Sequence, residues 1–406
     1  MLTSLALIFI VGLAMATIVK AVKLPRIIGM LVTGIVLGPY VLDMLDASIL
    51  GISAELRQMA LVIILIKAGL SLNIKDLKKV GVPAILLSFV PAVFEIVATV
   101  IFAHILLGVT YIEGAVIGAV LGAVSPAVVV PKMVQLMDEN YGVDKNIPQM
   151  ILAGASLDDV FVIVLFTAFT AMAQGNSTNA MDLINIPISI VLGILLGVVV
   201  GYLLSKFFEF AYSKNKLIRN SIKVILVLGF AFLLLAIEQW LKQFVAVSGL
   251  LAIMSMAMVI AKKSAPVVVK RLQQKFGKLW LGAEVILFVL VGAVVDINYI
   301  GQAGGYAVLL ILVVLVFRSI GVWFCLLFTK LNYKEKIFCV FSYLPKATVQ
   351  AAIGAVPLAM GLACGKIVLS VAVLSIIITA PLGATLMELT YKKLLNKTDI
   401  EINEAK

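Results

Sequence analysis

The sequence contains few charged residues for its length. Of 406 residues, 13% are Asp, Glu, Lys or Arg, about half the fraction in a typical soluble domain. No long polar segment interrupts the chain, so a separate soluble domain is not expected. The three cysteines, Cys325, Cys339 and Cys364, have no spacing typical of a metal site or a disulfide framework. No Gly-x-x-x-x-Gly-Lys-Ser/Thr loop is present, which argues against an ATP-driven pump.

Long apolar stretches are abundant instead. Hydrophobic residues make up 63% of the chain, and runs of about 20 residues, each able to cross a hydrocarbon layer of roughly 30 Å, recur from end to end. The runs are too long for strands and do not alternate, so residues 1–406 are expected to form one all-α polytopic membrane domain with about 13 transmembrane helices. The expected spans are about 2–20, 26–45, 54–73, 82–108, 111–136, 146–174, 183–208, 220–240, 243–261, 277–296, 303–328, 336–361 and 363–391. A basic amphipathic piece, Ala265 to Lys275, is expected to lie along the membrane surface.

Lysine and arginine lie mostly on one side of this span map. The formal net charge is +11, but the basic residues occupy short loops, so nucleic acid is not an expected partner. Twenty-six of them fall in odd-numbered loops and the C-terminal tail, against three in even-numbered loops. Because cytoplasmic loops are enriched in Lys and Arg, we expect an inner-membrane protein with its N-terminus outside and its C-terminus in the cytoplasm.

Several unusual residues recur at an offset of 223 positions. The matched pairs are Gly69 with Gly292, Asn73 with Asp296, Glu95 with Arg318, and Ser125 with Thr348. The span map shifts likewise, so spans 1–6 overlay spans 8–13, and span 7 inverts the second copy. Inverted repeats of this kind are common in secondary transporters, with the binding site between the repeats at mid-membrane. The alternative is coincidence, because the identity between the halves is weak.

Charged residues also occur inside the apolar spans. They are Lys67, Glu95, Asp158, Asp159, Glu284, Arg318 and Lys346. Each charge at a helix centre costs about 2.5–3.5 kcal/mol on insertion scales, so a purely structural bundle would not be expected to keep several. Most of them fall at one depth, which predicts a polar site. Lys67 and Glu284 are expected to face the scaffold or a dimer interface instead.

The adjacent Asp158 and Asp159 are the clearest candidates for ion and proton binding. Neighbouring helical residues diverge by about 100°, so both carboxylates can face one cavity at the same level. Because close carboxylates repel, at least one gains affinity for a proton. The pair can therefore bind a small cation such as Na⁺ or protons, in competition. The alternative is a structural acid pair neutralised by basic neighbours.

Prolines interrupt two of the spans at corresponding positions. Pro126 and Pro131 follow Ser125, and Pro345 precedes Lys346; a proline removes a backbone hydrogen bond and breaks or kinks a helix. Paired broken helices point to a transporter site, where freed carbonyls near Ser125 can coordinate the cation and Lys346 can offset helix C-terminal dipoles. The expected supports of the breaks are Pro126, Lys346, Thr348 and Gln350. A simple proline kink is the alternative for either break alone.

Glu95 and Arg318 are opposite charges at repeat-related positions, and we expect them to form a buried ion pair. Such a pair need not add stability, but loss of one partner leaves the other charge unpaired. The competing interpretation is that Glu95 is a second cation ligand. Gly34, Gly38 and Gly69 are expected to be sites of close helix packing.

Three motifs together are similar to NHA-type sodium/proton antiporters of the monovalent cation:proton antiporter superfamily. They are the segment 124–131, the pair Asp158-Asp159, and the segment 344–352. The resemblance implies a homodimer, a scaffold part (about 1–80 and 220–300) and a mobile core part (about 82–174 and 303–391) with two crossed broken helices. By similarity, Asp159 is the principal ion and proton carboxylate, Asp158 is its partner, and Glu95–Arg318 is a core salt bridge.

The expected function is exchange of Na⁺ or Li⁺ for H⁺ by alternating access, without enzymatic activity and without a cofactor. A K⁺/H⁺ antiporter and a sodium-coupled organic-anion symporter of the same fold remain alternatives. The symporter would need a wide cavity with cationic anchors, and only Lys346 is available. An intramembrane aspartyl protease is disfavoured. Such enzymes carry their two aspartates on separate helices, whereas Asp158 and Asp159 are adjacent on one expected helix. A channel is the remaining possibility.

Overall fold

A computed structural model describes residues 1–22, 24–71, 81–175, 180–213, 218–241, 245 and 247–397. Their regular structure is helical, with one isolated bridge between Tyr141 and Lys397. The helices are α1 (Leu2–Ala21), α2 (Arg26–Leu37), α3 (Ala47–Gly51), α4 (Ser53–Ser71), α5 (Val82–Leu87), α6 (Val90–Leu107), α7 (Tyr111–Leu121), α8 (Pro126–Asp138), α9 (Ile147–Gln174), α10 (Ala180–Ser213), α11 (Asn220–Leu241), α12 (Gly249–Lys263), α13 (Pro266–Ala293), α14 (Ile297–Cys325), α15 (Tyr333–Ser342), α16 (Thr348–Gly354), α17 (Val356–Ala359) and α18 (Gly365–Leu394). The expectation of an all-α protein is confirmed for this part of the chain.

Nine helical stretches in the described residues are long and apolar enough to cross a membrane. Most of the other expected spans coincide with shorter or more polar helices, such as α2, α4 and α12. The count of 13 spans and the inverted repeat stay predictions. Asn73, one of the repeat-matched residues, lies outside the described residues.

Local sequence signals explain where several helices begin and end. At the start of α7, Thr110 and Glu113 form a capping box, each side chain bonding the other's backbone N–H, which satisfies two donors that the helix leaves free. Asn332 and Glu335 do the same for α15. The preceding α6 ends at Gly108 with φ +67°, a left-handed conformation that glycine adopts without strain.

The basic segment before the tenth span departs from its expected position. We expected Ala265 to Lys275 to be a separate surface piece, but α13 continues without interruption from Pro266 to Ala293. Proline is favoured in the first turn of a helix, and both Leu272 in this segment and Phe276 directly after it are buried. The segment is therefore the first part of a long helix.

By its contacts the chain divides into two compact units. Unit 1 contains Met1–Leu13, Thr33–Leu72 and Ile163–Val294, and unit 2 contains Ala14–Val32, Asn73–Val162 and Val295–Lys406. These bounds differ from the expected scaffold and core mainly in residues 14–32, which belong to unit 2. The functional assignment of the two parts stays a prediction.

Close helix packing in unit 1 depends on glycines. A Cβ on Gly34 or Gly38 would meet the backbone of α13 at Val289 or Ala293, and a Cβ on Gly69 would meet α12. The expected role of Gly34, Gly38 and Gly69 is therefore confirmed. In the same unit Lys67 lies over the Trp280 ring, 5.6 Å from its centroid.

Unit 2 contains a buried apolar cluster that surrounds the ends of several helices. Its members include Leu87 of α5, Met133 of α8, Ile151 of α9, Val322 of α14 and Tyr343, which follows α15. Through Tyr343 the cluster also contacts Arg318.

Candidate functional site

The two broken helices of unit 2 contact each other at their breaks. α7 ends at Leu121 and α8 begins at Pro126, while α15 ends at Ser342 and α16 begins at Thr348. The Ser125 backbone N–H donates to the Pro345 carbonyl at 2.8 Å. Two extended segments thus meet where their backbone groups have no helical partners.

Gln350 connects the two breaks through its side chain. Its Nε2 donates to the Ala123 carbonyl at 2.7 Å, and its Oε1 accepts from the Ala347 N–H at 2.8 Å. The amide therefore satisfies one backbone group in each break. Pro126 and Thr348 are the first residues of α8 and α16. Pro131 does not interrupt α8, contrary to expectation: the helix continues through it.

Asp158 is held by partners on one of its oxygens. Its Oδ2 accepts from the Val124 backbone N–H at 2.6 Å and from Arg318 Nη2 at 3.2 Å. The residue is fully buried, and Oδ1 has no hydrogen-bond partner in the described part of the chain. Asp158 is therefore oriented and its charge is compensated.

Asp159 differs from its neighbour because no base is paired with it among the described residues. It is 7% exposed, and its buried Oδ1 has no hydrogen-bond partner there. The hydroxyl of Ser125, at the break before α8, is likewise buried and without a partner in this part of the structure. Buried oxygen atoms left unpaired are destabilising unless a ligand or solvent satisfies them. The Asp159 carboxylate can therefore accept a cation or a proton, and the Ser125 hydroxyl can provide an oxygen ligand to a cation.

Glu95 on α6 is paired with two bases. Arg318 Nη1 lies 2.7 Å from Glu95 Oε2, and Lys346 Nζ lies 2.7 Å from Oε1 and 2.8 Å from Oε2. The expected Glu95–Arg318 pair is present, and Lys346 is an additional partner. Glu95 is committed to these cations, so the interpretation of Glu95 as a free cation ligand is disfavoured.

The same two bases bind the carbonyls at the C-terminal end of α7. Lys346 Nζ donates to the Leu121 carbonyl and Arg318 Nη1 to the Gly122 carbonyl, each at 2.5 Å. Positive charge at a helix C-terminus complements the helix dipole and satisfies carbonyls that have no helical partner. Arg318 Nε also donates to the Tyr343 carbonyl at 2.6 Å.

Sequence reasoning missed the second partner of each base. Arg318 contacts Asp158 as well as Glu95, and Lys346 contacts Glu95 as well as the helix end. The number of donors could have indicated this, because a guanidinium has five N–H groups and one carboxylate cannot satisfy them all. Thr379 of α18, which accepts from the Lys346 backbone N–H at 2.9 Å, gave no signal in the sequence.

No group of three or more His, Cys, Asp or Glu side chains that could hold a metal ion occurs among the described residues. The oxygens available at the site come from two carboxylates, a hydroxyl and backbone carbonyls. Carboxylate, hydroxyl and carbonyl oxygens are hard donors, which favour hard cations over soft transition metals.

Comparison with known proteins gives a consistent picture. Residues 5–391 match the family model described as sodium/hydrogen exchanger, transmembrane. Sodium/hydrogen exchanger 9B2 of Homo sapiens is 34% identical over 387 residues, covering 93% of this chain and 71% of that protein. Sodium/hydrogen exchanger 9B1 of Homo sapiens is 31% identical over 393 residues, covering 92% and 73%.

Among solved structures, the sodium proton antiporter MjNhaP1 from Methanocaldococcus jannaschii at pH 8 has the same fold. Its TM-score is 0.81 at 22% identity, with 96% of this chain and 97% of that chain covered. The family match spans nearly the whole chain and includes every residue of the site described above. This chain therefore belongs to the sodium/hydrogen exchanger family, as a multi-pass membrane protein of the NHA type.

Proposed function

We propose that this protein exchanges Na⁺ or Li⁺ for H⁺ across the membrane by alternating access. The observation that supports the proposal most directly is Asp159, a buried carboxylate without a basic partner in the described residues, beside an Asp158 that is already paired. Membership of the sodium/hydrogen exchanger family adds independent support.

The charges of the site favour one-for-one exchange. Its buried ionisable groups are Glu95, Asp158, Asp159, Arg318 and Lys346. The two bases balance Glu95 and Asp158, which leaves one negative charge on Asp159. A single proton or a single Na⁺ neutralises that charge, and only a neutral site avoids the large penalty for an unpaired charge in a low-dielectric interior.

In this scheme Asp159 is the group that exchanges, and its neighbours have supporting roles. Asp158, oriented by Val124 and Arg318, provides one lone pair of its Oδ1 to the cation. The Ser125 hydroxyl and carbonyls freed at the breaks provide further oxygens. The site moves between the two sides of the membrane only when loaded and neutral, so the cation and the proton cross in opposite directions in alternate half-cycles.

The organic-anion alternative is weaker than the sequence suggested. Lys346 and Arg318 are the cationic anchors at the site, and both are fully buried and paired with carboxylates and helix carbonyls. Binding a carboxylate substrate would require breaking these pairs.

We further propose that the protein is a homodimer in the inner membrane, with the N-terminus outside, as the family resemblance and the lysine distribution indicate.

Proteoliposomes with a pH-sensitive dye inside test the proposal. Addition of Na⁺ or Li⁺ outside should shift the internal pH, with K⁺ and a bile acid as competing candidates in the same panel. Asp159→Asn should abolish the shift, because the amide can neither take up a proton nor neutralise the cation. The exposed Asp144→Asn is the matched control and should leave the shift unchanged. Full activity of Asp159→Asn would refute the assignment.

A further inference from the structure

Tyr343 lies against the charged network but has no place in the exchange scheme so far. It follows α15 and is fully buried. Its backbone carbonyl accepts from Arg318 Nε, and its ring lies 5.8 Å from the Arg318 guanidinium carbon. The phenol hydroxyl, however, is buried and without a hydrogen-bond partner in the described residues. The ring and the carbonyl thus have an evident structural role, and the hydroxyl has none.

Gly154 on α9 defines where that hydroxyl points. A Cβ built on Gly154 would collide with Tyr343 Oη, so the hydroxyl occupies the place of a side chain on α9. Asp158 is four residues further along the same helix. Side chains four residues apart share a face, with Cβ atoms about 5–6 Å apart, so the phenol oxygen lies on the face of α9 that carries Asp158.

Two buried oxygens without hydrogen-bond partners therefore lie on the same face of α9. Asp158 Oδ1 and Tyr343 Oη are both unpaired in this part of the structure. A buried water molecule needs at least two polar partners, and these two atoms provide an acceptor and a donor. One water molecule between them would satisfy both.

We propose that the Tyr343 hydroxyl, which occupies the place of a side chain on Gly154, is a positioning group of the transport site that holds a water molecule against Asp158 Oδ1. Arg318 and Val124 fix one oxygen of Asp158, and Tyr343 fixes the other through water. The inference rests on the proposed function, since it assigns to Tyr343 the orientation of a carboxylate that helps to bind the cation.

Tyr343→Phe isolates the hydroxyl. Phenylalanine keeps the ring beside Arg318 and the backbone carbonyl, so a purely structural role is preserved. If the hydroxyl positions Asp158, the apparent KM for Na⁺ should rise about tenfold, the size expected for loss of a hydrogen bond to a charged group, at an unchanged maximal rate. Tyr141→Phe, a change of the same kind away from the site, should leave the KM unchanged.

Gly154→Ala provides a second test, because its methyl group would displace the hydroxyl. Alone, it should raise the KM as Tyr343→Phe does. With Phe at 343 the clash with the hydroxyl is gone and only the approach to Leu87 Cβ at 3.0 Å remains. The double variant should therefore be less impaired than the sum of the two single changes, a non-additive result typical of residues in contact.

Four outcomes decide the matter. An unchanged KM in Tyr343→Phe would overturn the proposal, as would fully additive effects in the double variant. Exchange that is absent from the unsubstituted protein would instead overturn the proposed function. The raised KM together with non-additivity would establish the role of Tyr343.

Discussion

Arg318 makes contacts that no other residue type could reproduce together. Its guanidinium donates to two carboxylates, Glu95 and Asp158, and to the carbonyls of Gly122 and Tyr343. A planar fork of five donors suits this arrangement, whereas a lysine has three donors at one point. Because arginine does not lose its proton in proteins, this position stays charged throughout the cycle.

Glu95→Gln should destabilise the protein strongly. The change removes the carboxylate that faces both Arg318 and Lys346 and leaves two buried cations close together. Breaking a buried pair in this way costs about 3–5 kcal/mol, which would appear as a lower free energy of unfolding in detergent.

The control for Glu95 is Glu388, the partner of Lys132. Its side chain is 55% exposed, so Glu388→Gln should cost about 0–1 kcal/mol. Equal losses in the free energy of unfolding of the two variants would contradict the expectation that a buried ion pair is more costly to break than an exposed one.

Asp46 lies outside the membrane spans and should not contribute to the pH dependence of transport. Its pKa is lowered to about 2, mainly by the hydrogen bond from Ser48 at the start of α3. Because the folded pKa is lowered, the contribution of Asp46 to stability is present above the ordinary carboxyl pKa and is lost only as the pH falls towards 2. Asp46→Asn should therefore leave the pH profile of exchange superimposable on that of the unsubstituted protein; a displaced profile would contradict this.

Residue type and position within the expected spans predicted much of the site, but contacts between residues distant in sequence could not be predicted. Ser125, Asp158, Asp159 and the Glu95–Arg318 pair could be recognised because polar groups in apolar spans are rare and costly. The contact between Lys346 and Glu95 joins residues 251 positions apart. It is unrelated to the 223-residue offset, so the repeat could not reveal it.

At the scale of helices, α8 is the element that connects the site to the far end of unit 2. It begins next to Ser125 and contacts α18 from its middle onwards: Lys132 Nζ, halfway along α8, lies 2.7 Å from Glu388 and 3.7 Å from the centroid of the Tyr391 ring. Tyr391 also donates to Glu139 just beyond α8. α18 therefore fixes the end of α8 away from the site.

Lys132→Met should loosen this connection. It removes an ion pair and a cation–π contact while keeping an apolar stem, with an expected loss of about 1–2 kcal/mol in the free energy of unfolding. Lys393→Met, at an exposed position on α18, should have no measurable effect. Thermal unfolding in detergent compares the two, and an undiminished stability of Lys132→Met would argue against the role of α18.

Two of the three helix breaks expected from proline are present. The helices are broken before Pro126, next to Ser125, and at Pro345, next to Lys346. Pro131 is also followed by a lysine, Lys132, but lies inside a continuous α8, so a proline beside a charged residue does not by itself predict a break. The charges of residues 265–275 suggested a surface segment, but burial of Leu272 and Phe276 decided in favour of one long α13.

For the whole molecule, hydrophobicity alone predicted a helical membrane protein, because only helices or closed barrels satisfy backbone groups in lipid. The division of the chain into units could not be predicted in full from the sequence, because residues 14–32 join unit 2 through packing that no local pattern encodes.

The balance of charges at the site has a consequence for the whole transport cycle. If Asp159 is the only group that exchanges, the transport cycle moves no net charge.

Counting protons and sodium ions at a series of imposed membrane voltages tests this central claim most directly. Proteoliposomes with a fixed sodium gradient, clamped by a potassium gradient and valinomycin, should release one proton per sodium ion taken up, at a rate that does not depend on voltage. A rate that follows the voltage, or a ratio near two, would show that a second group titrates and would contradict the account.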